Sequence, residues 1–252
     1  MPYQSFQAPD QGQHSGIDLP DGLRIYAIGD IHGQFSLLDQ LQEMIRKDVL
    51  ERPATRHVII YLGDYVDRGP KSYDVIDRLC LPRDQGVETL HLKGNHEEFL
   101  VNFLSDPGTG DAWLLNGGGD TLASYGVPEN LYQSSKDYQR AQDTLLHRMP
   151  AKHREFLDNL ALSHRIGSLF FAHAGVNPDF PLDAQRPKDL MWIRHKFINS
   201  TKDIGAFVVH GHTPRLEPEV TPFRINVDTH AWHTGHLTAV ALEDGQFRFL
   251  NT

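Results

Sequence analysis

The chain reads V-I-I-Y-L-G-D-Y-V-D-R-G over residues 58–69, where an apolar segment runs directly into a charged loop. The first five residues are apolar and rich in β-branched side chains, which is typical of a strand buried on both faces. Gly63 breaks the strand, and Asp64, Asp67 and Arg68 follow. Taken alone, the loop is also compatible with a polar turn whose Asp caps the next helix. Ligands of open α/β sheets nevertheless collect at the carboxyl ends of strands, which makes this loop a candidate site.

Other apolar segments end in loops of the same kind. They cover residues 23–28, 87–92, 168–171 and 206–209. The first three strand patterns alternate with helical ones, which predicts an α/β layered fold with a largely parallel start. Three more strands are predicted at residues 224–227, 237–242 and 246–250, and Asp244-Gly245 is a strong hairpin signal between the last two.

The 252 residues are sufficient for one large domain, which we place at residues 21–252. Residues 1–20 are expected to be a flexible tail. Residues 105–150 contain N-G-G-G, scattered aromatics and no clear strand pattern, and we expect them to form a helical excursion over the site.

Composition excludes several classes of function. The net charge of −9 argues against a nucleic-acid partner, which requires basic surface. No apolar run approaches the ~20 residues of a membrane helix, and the N-terminus lacks the features of a secretory signal. Cys80 is the single cysteine, so no internal disulfide can form, and we expect a reducing, cytoplasmic location. The oligomeric state cannot be derived from the sequence.

The five strand-end loops carry side chains of the metal-ligand type. They are Asp30, His32, Asp64, Asn95, His173 and His212. Any one of these loops could be an ordinary turn, because Gly-Asp and Gly-Asn are common turn dipeptides. All five in one chain predict a metal site, and carboxylate, imidazole and amide ligands without thiolates suit Mn, Fe or Zn.

The ordered motifs G-D-I-H-G, G-D-Y-V-D-R-G, G-N-H-E, H-A-G and G-H-T span residues 29–213. With them the sequence resembles the phosphoprotein phosphatase branch of the calcineurin-like metallophosphoesterases, in particular its bacterial and phage members. The resemblance implies an α/β (α+β) fold of two packed mixed β-sheets flanked by helices. It also implies two divalent metal ions per chain, Mn²⁺ before Fe or Zn. In that arrangement one ion is held by Asp30, His32 and Asp64, and the other by the bridging Asp64 with Asn95, His173 and His212.

The remaining polar residues of the motifs have predicted catalytic roles. Arg68 and Arg194 are expected to bind the phosphoryl oxygens, which a planar guanidinium does bidentately. For Arg194 the resemblance adds the pattern P-x-x-L-x-W-x-R after H-A-G. His96 is the candidate general acid for the leaving oxygen, and Asp67 is expected to orient its ring. The structural alternatives are a surface salt bridge for Arg68 and a turn cap for Asp67.

Three further positions complete the predicted site. Asp228 is expected to support the metal ligands without binding the ions, and Glu97 to fix its loop rather than touch substrate. After Val227-Asp228-Thr229 relatives usually continue with Gly, whereas this chain has H-A-W-H-T-G-H over residues 230–236. These histidines lack a carboxylate to complete a ligand set, so we expect a position at the rim of the pocket.

We therefore expect a metal-dependent phosphomonoester hydrolase, first of all a serine/threonine protein phosphatase whose nucleophile is a metal-bridging hydroxide. The alternative is a dinucleoside polyphosphate hydrolase of the bis(5'-nucleosyl)-tetraphosphatase type, and a non-catalytic phospho-ligand binding module comes third. The expected partners are a phosphorylated protein or peptide or a small phosphate ester. Protein phosphatases keep Asp before the Arg of the second motif, as Asp67 here, whereas tetraphosphatases vary it. The aromatics of residues 105–150 are expected to line an open groove for a peptide, so phosphopeptides should turn over faster than diadenosine tetraphosphate.

Overall fold

A computed structural model describes residues 11–81, 87–243 and 245–252. Its strands are β1 (Gln11–Gln13), β2 (Leu23–Ile28), β3 (Arg56–Tyr61), β4 (Val87–His91), β5 (Ser163–Ile166), β6 (Leu169–Ala172), β7 (Phe207–His210), β8 (Glu219–Val220), β9 (Arg224–Asn226), β10 (Thr238–Glu243) and β11 (Gln246–Asn251). Its helices are α1 (Phe35–Glu51), α2 (Ser72–Leu79), α3 (Asn95–Ser105), α4 (Gly110–Leu115), α5 (Gly118–Ser124), α6 (Tyr138–Arg148), α7 (Ala151–Asp158), α8 (Pro187–Trp192), α9 (His195–Ile198) and α10 (Ala231–Thr234). Short 3-10 turns lie at Pro107–Thr109, Glu129–Leu131, Ser135–Asp137 and Leu182–Ala184.

The described strands form two mixed sheets. One has the order β1-β11-β10-β2-β3-β4 and the other the order β5-β6-β7-β9-β8. Parallel pairs join β2 to β3 and β3 to β4 in the first sheet, and β6 to β7 and β7 to β9 in the second. The predicted fold of two packed mixed sheets is therefore confirmed.

Alternation along the strands places the core between the sheets. Ile25 and Val58 of the first sheet pack with Phe171 and Val209 of the second. Because successive side chains of a strand point to opposite faces, the residues between them cover the outer faces. Tyr26 thus packs against the helices that cover the first sheet.

The helices cover both outer faces. On the first sheet, α1, α2 and α3 contribute apolar side chains to one continuous cluster, which also includes the helices of residues 105–150. On the second sheet, α8 and α9 pack over Phe170 and Val208. Pro187 occupies the first position of α8, where its fixed φ suits the first turn of a helix. Among the described residues, no helix combines the length and the apolar composition that crossing a membrane requires.

The first and last described segments of the chain both belong to the first sheet. Residues 11–20 are not a free tail, because Gln11–Gln13 pairs with β11 and Ile17 and Leu19 are buried in the core between the sheets. Residues 1–10 lie outside the described residues. The C-terminal hairpin is present, with β10 and β11 paired in register, although Asp244 of the predicted turn lies outside the described residues.

Residues 105–150 are helical, as expected, but their aromatics do not line a groove. Trp113, Tyr125 and Tyr138 are buried in the cluster beside the first sheet, and Tyr132 is partly buried against it. The expectation of an open, aromatic-lined peptide groove in this segment is therefore wrong. These aromatic side chains bury apolar surface, and this packing holds residues 105–150 against the loop that follows β3.

Candidate metal centre

The strand-end loops meet at one edge of the molecule. Because the strands that carry them run parallel within each sheet, their carboxyl ends lie on the same side. The loops enclose a cavity of about 120 Å³. Its walls consist of Asp30, His32, Asp64, Arg68, Asn95, His96, Arg194, His212, Pro214, Asp228 and His230.

Asp64 lies at the centre of the histidines. Its carboxylate oxygens are 3.6 Å from His32 Nε2, 3.4 Å from His173 Nε2 and 3.9 Å from His96 Nε2. Two groups of possible ligand atoms share Asp64, each with its atoms within 4.8 Å of one another. One consists of His32, Asp64 and His96, and the other of Asp64, His173 and His212. A carboxylate shared by two such groups is suited to bridge two ions.

Backbone carbonyls set the tautomers of two histidines. His32 Nδ1 is 2.9 Å from the Val66 carbonyl oxygen, and His173 Nδ1 is 2.9 Å from that of Leu62. A carbonyl only accepts, so each ring donates from Nδ1 and directs Nε2 at the cavity, which is the usual arrangement of a metal-ligating histidine. His173 Nε2 there lies 3.0 Å from Asn95 Oδ1 and 3.4 Å from an Asp64 carboxylate oxygen. Two such oxygens favour a cation at this position, either a proton on Nε2 or a metal ion.

The pKa shifts of the side chains around the cavity also favour a bound cation. Burial lowers the pKa of His173, but the Asp64 carboxylate outweighs burial and the pKa rises to about 9. Burial opposes ionisation of Asp64, yet His173 and its neighbours hold the pKa of that carboxyl well below its usual range. Burial and the nearby Asp228 raise the pKa of Asp30 well above its usual range. Burial likewise raises the pKa of Asp228 to about 6. Crowded, buried carboxylates of this kind are stabilised by bound cations, so the residues present fit a metal centre.

The structure brings the predicted ligand residues together, with one difference in grouping. The compact group of possible ligand atoms around His32 and Asp64 includes His96, whereas the resemblance implies Asp30 there. Asp30 lines the same cavity, and its carboxylate accepts the backbone N–H of His212 at 3.2 Å. Asp228 lies buried beside them and accepts the backbone N–H of His230 at 2.9 Å, and its supporting role stays a prediction.

Close backbone approach explains two glycines of the motifs. A Cβ atom at Gly94 would overlap Asp64 Oδ1, and one at Gly211 would overlap Asp30 Oδ1. The loops also hold several non-glycine residues at positive φ, a strained conformation that is concentrated at functional sites. These are His32, Asp64, Asp67, Arg68, His212 and His230.

Glu97 holds the loop after β3 by its backbone. Its carboxylate accepts the N–H groups of Gly94, Asp64 and Tyr65 at 2.7–2.9 Å. Burial raises its pKa to about 7, although these N–H donors favour the ionised form. The side chain is fully buried and is not part of the cavity wall.

Asp67 occupies a separate, buried pocket behind His96. Its Oδ2 lies 2.7 Å from His96 Nδ1, so the ring donates there and points Nε2 at the cavity. Burial lowers the pKa of His96, but Asp64 and the hydrogen-bonded Asp67 raise it above its ordinary value. Asp67 also accepts Trp113 Nε1–H at 3.0 Å and the Thr121 hydroxyl at 2.6 Å.

Trp113 and Thr121 were not identified from the sequence. They belong to α4 and α5, far along the chain from Asp67, and neither lies in a recognisable motif. The only available signal was the Gly-rich N-G-G-G stretch, in which Gly117 accepts the backbone N–H of Arg68 at 3.2 Å. A contact of this kind depends on how the helical segment packs on the loop.

Both predicted arginines reach the cavity. Arg68 Nη1 lies 3.4 Å from His32 Nε2, and the Arg68 guanidinium also lies over the Trp232 ring. Arg194 follows α8, and its Nε–H donates to His212 Nε2 at 3.1 Å. Two guanidinium groups on opposite histidines flank the cavity, an arrangement suited to an anionic ligand.

Comparison of the sequence with known proteins identifies the family of this chain. Residues 23–239 match the sequence profile of the calcineurin-like phosphoesterases. The chain is 25% identical over 234 residues to the asymmetrical bis(5'-nucleosyl)-tetraphosphatase PrpE of Anoxybacillus flavithermus, covering 84% of this chain and 88% of the relative. It is 37% identical over 98 residues to serine/threonine-protein phosphatase 2 of Escherichia coli, covering 37% of this chain and 38% of the relative.

A solved structure extends the comparison to the fold. A protein serine/threonine phosphatase of Saccharomyces cerevisiae superposes with a TM-score of 0.53 at 15% identity, covering 91% of this chain and 79% of that chain. At this level of identity the likeness concerns the fold alone. The sequence profile spans most of the chain and includes all the strand-end loops of the cavity. This chain belongs to the calcineurin-like phosphoesterase family.

Proposed function

We propose that this chain hydrolyses dinucleoside polyphosphates of the bis(5'-nucleosyl)-tetraphosphate class. The observation that supports the proposal most is the extent of the similarity to PrpE, which covers 84% of this chain. The similarity to the bacterial serine/threonine phosphatase is higher in identity but covers only 37% of the chain. A match over 84% of the chain covers far more of the fold than a match over 37% of it, and the longer match therefore carries more weight for the substrate class.

This proposal reverses the order of the two functions expected from the sequence. The expected preference for phosphopeptides rested partly on an aromatic groove in residues 105–150, and those aromatics are buried. It also rested on Asp67, which the structure places in contact with His96. That contact positions the ring whatever the leaving group is, so Asp67 does not by itself select a protein substrate.

Two divalent ions, with Mn²⁺ proposed before Fe or Zn, would supply Lewis-acid stabilisation of the phosphoryl oxygens and activation of a water nucleophile. The residues proposed to hold them are Asp30, His32, Asp64, Asn95, His173 and His212. Neutral Asn95 and the neutral imidazoles leave the centre with surplus positive charge, which attracts a polyphosphate.

The side chains around the ligands perform the remaining steps. His96 presents Nε2 to the cavity while Asp67 holds Nδ1, so the ring is oriented to donate a proton to the departing phosphate oxygen. Arg68 and Arg194 flank the cavity and would bind non-bridging oxygens of the chain of phosphates. Arg68 lines the cavity and has a left-handed backbone, with φ of 65°, a strained conformation of the kind found at functional sites.

A second candidate function is phosphoprotein phosphatase activity. It is favoured by the hydrogen bond of 2.7 Å between Asp67 and His96, because a phosphoserine alkoxide is a poor leaving group and requires a positioned acid. The local identity of 37% to the bacterial serine/threonine phosphatase supports the same candidate.

The cytoplasmic location and the absence of a nucleic-acid partner remain predictions.

Substrate competition tests the proposal. The metal-loaded enzyme is given diadenosine tetraphosphate and a panel of phosphoserine and phosphothreonine peptides, and kcat/KM is measured for each. We expect the dinucleotide to exceed the best peptide by at least about tenfold, a difference of about 1.4 kcal/mol in transition-state binding. Chromatography should show ATP and AMP as products of asymmetrical cleavage. A peptide preferred over the dinucleotide would establish the second candidate instead.

A further inference from the structure

Residues 230–236 form part of the rim of the cavity. His230 lines the cavity directly, and α10 begins immediately after it. His236 points elsewhere, because its Nδ1 lies 2.7 Å from the carbonyl oxygen of Thr252. The expected position at the rim therefore applies to the beginning of this segment and not to its end.

His230 adopts a conformation that favours glycine. Its φ is 60°, in the left-handed region, and its backbone N–H donates to Asp228 Oδ1 at 2.9 Å. A bulky residue at such an angle is strained, and strain of this kind is retained at ligand-binding positions. The imidazole that results is half-buried and faces the cavity.

Trp232 extends the rim with a large aromatic surface. Its ring is 4.9 Å from His230, nearly perpendicular to it, and 5.9 Å from His233. The side chain is 37% exposed, whereas Trp113 is fully buried. An aromatic cluster left open to solvent beside a binding cavity is a surface on which a planar ligand can stack.

Arg68 connects this surface to the reaction centre. Its guanidinium lies 5.5 Å from the Trp232 ring centre, while Nη1 lies 3.4 Å from His32 Nε2. A phosphate chain bound by Arg68 would therefore pass beside Trp232. The ligand that fits both contacts carries phosphates at one end and a planar aromatic group at the other.

We propose that Trp232, supported by His230 and His233, is the binding platform for a nucleobase of the substrate. The inference rests on the proposed function for the identity of the ligand, a nucleoside polyphosphate, and adds the residues that recognise its base. Aromatic stacking accepts every base because each has a π-face, so the platform favours nucleotides over inorganic polyphosphate without selecting adenine strongly.

The test compares two ligands that differ only in the nucleoside. ATP and inorganic tripolyphosphate are used as competitive inhibitors of 4-nitrophenyl phosphate hydrolysis at fixed free Mn²⁺, and the ratio of their inhibition constants is measured. Stacking of one base predicts that the wild-type protein binds ATP at least about fivefold more tightly than tripolyphosphate. ATP, and not tripolyphosphate, should also quench the tryptophan fluorescence of the wild-type protein but not that of Trp232→Phe, which separates Trp232 from Trp113 and Trp192.

Three variants assign the effect. Trp232→Ala should bring the ratio close to one, Trp232→Phe should retain most of it, and Leu50→Ala, which shortens another exposed apolar side chain, should leave it unchanged. Any disturbance of Arg68 by the loss of the Trp232 ring would weaken both ligands equally and would cancel in the ratio.

The outcomes separate the inference from the proposed function. A wild-type ratio near one, or a ratio that persists in Trp232→Ala, overturns the platform even when diadenosine tetraphosphate is hydrolysed. A ratio that depends on Trp232 supports the platform, and if the same protein fails to hydrolyse diadenosine tetraphosphate, only the proposed function is overturned.

Discussion

The loop after β3 places Asp64 and Asp67 in two different regions of the molecule. Asp64 lies in the ligand cavity, among histidines contributed by other strand-end loops. Asp67 lies in a closed pocket whose donors come from His96 and from the helices of residues 105–150. The two regions therefore differ in what surrounds a buried carboxylate: atoms that could bind a cation in one, and hydrogen-bond donors in the other.

This difference indicates how the chain divides its chemical tasks. Burial raises the pKa of Asp67 despite its hydrogen bond to His96 and its other donors, whereas the histidines hold the pKa of Asp64 well below its usual range. The Asp64 carboxyl therefore stays ionised and is suited to bind cations. Asp67 instead orients the imidazole of His96. Substitutions in the two regions should consequently fail in different ways.

The largest effect is expected at the shared carboxylate of the cavity. Asp64→Asn should lose activity more completely than any other single substitution, because one carboxylate is proposed to serve both ions. Metal content measured by mass spectrometry should fall with the activity, and chelation of the wild-type protein should have the same effect, reversed by Mn²⁺. Asp74→Asn, in an exposed ion pair on α2, is the matched control. Full activity after exhaustive chelation would refute the metal centre.

A smaller but more selective effect is expected at the boundary between the two regions. His96→Asn should lower kcat by roughly 10²–10⁴-fold for poor leaving groups and much less for 4-nitrophenyl phosphate, which needs no proton. Metal content should be unchanged, whereas the exposed His147→Asn should alter neither quantity. Because His96 also lies in a compact group of possible ligand atoms, a loss of bound metal would identify it as a ligand and not as the acid.

The smallest effect is expected within the Asp67 pocket. Thr121→Val removes the hydroxyl that donates to Asp67 at 2.6 Å while keeping the shape of the side chain. Supporting groups of this kind typically contribute about 10–100-fold to activity, and the loss of the donor should destabilise the fold by about 1–3 kcal/mol in chemical denaturation. Thr144→Val, whose hydroxyl bonds a backbone carbonyl on α6, is the control. An equal loss for good and poor leaving groups would show that the pocket does not act through His96.

Local sequence was sufficient to predict the cavity, because its elements are local. A short apolar strand, a glycine and a ligand side chain occupy only a few neighbouring positions, and parallel strands bring such loops to one side. The roles of the ligands came instead from a resemblance, and they stay predictions, although the structure brings the residues together. The family profile over residues 23–239 shows the family and not those roles.

Packing decided what local patterns could not express. The strand at Gln11–Gln13 and the burial of Ile17 depend on β11 and on the opposite sheet, so a polar N-terminal composition was misleading there. The sequence predicted that the aromatic side chains of residues 105–150 would line a groove. In the structure they are buried in the hydrophobic cluster beside the loop after β3.

The sequence by itself determined which side chains stand at the ends of the strands, since strand periodicity and loop glycines are encoded within a few residues. Only the tertiary structure decided that Trp113 and Thr121 meet Asp67, and that Arg68 joins His32 to Trp232. Those contacts join residues far apart in the chain. They follow from the packing of helices and loops on the sheets. The periodicity of side chains within a single strand or helix does not predict that packing.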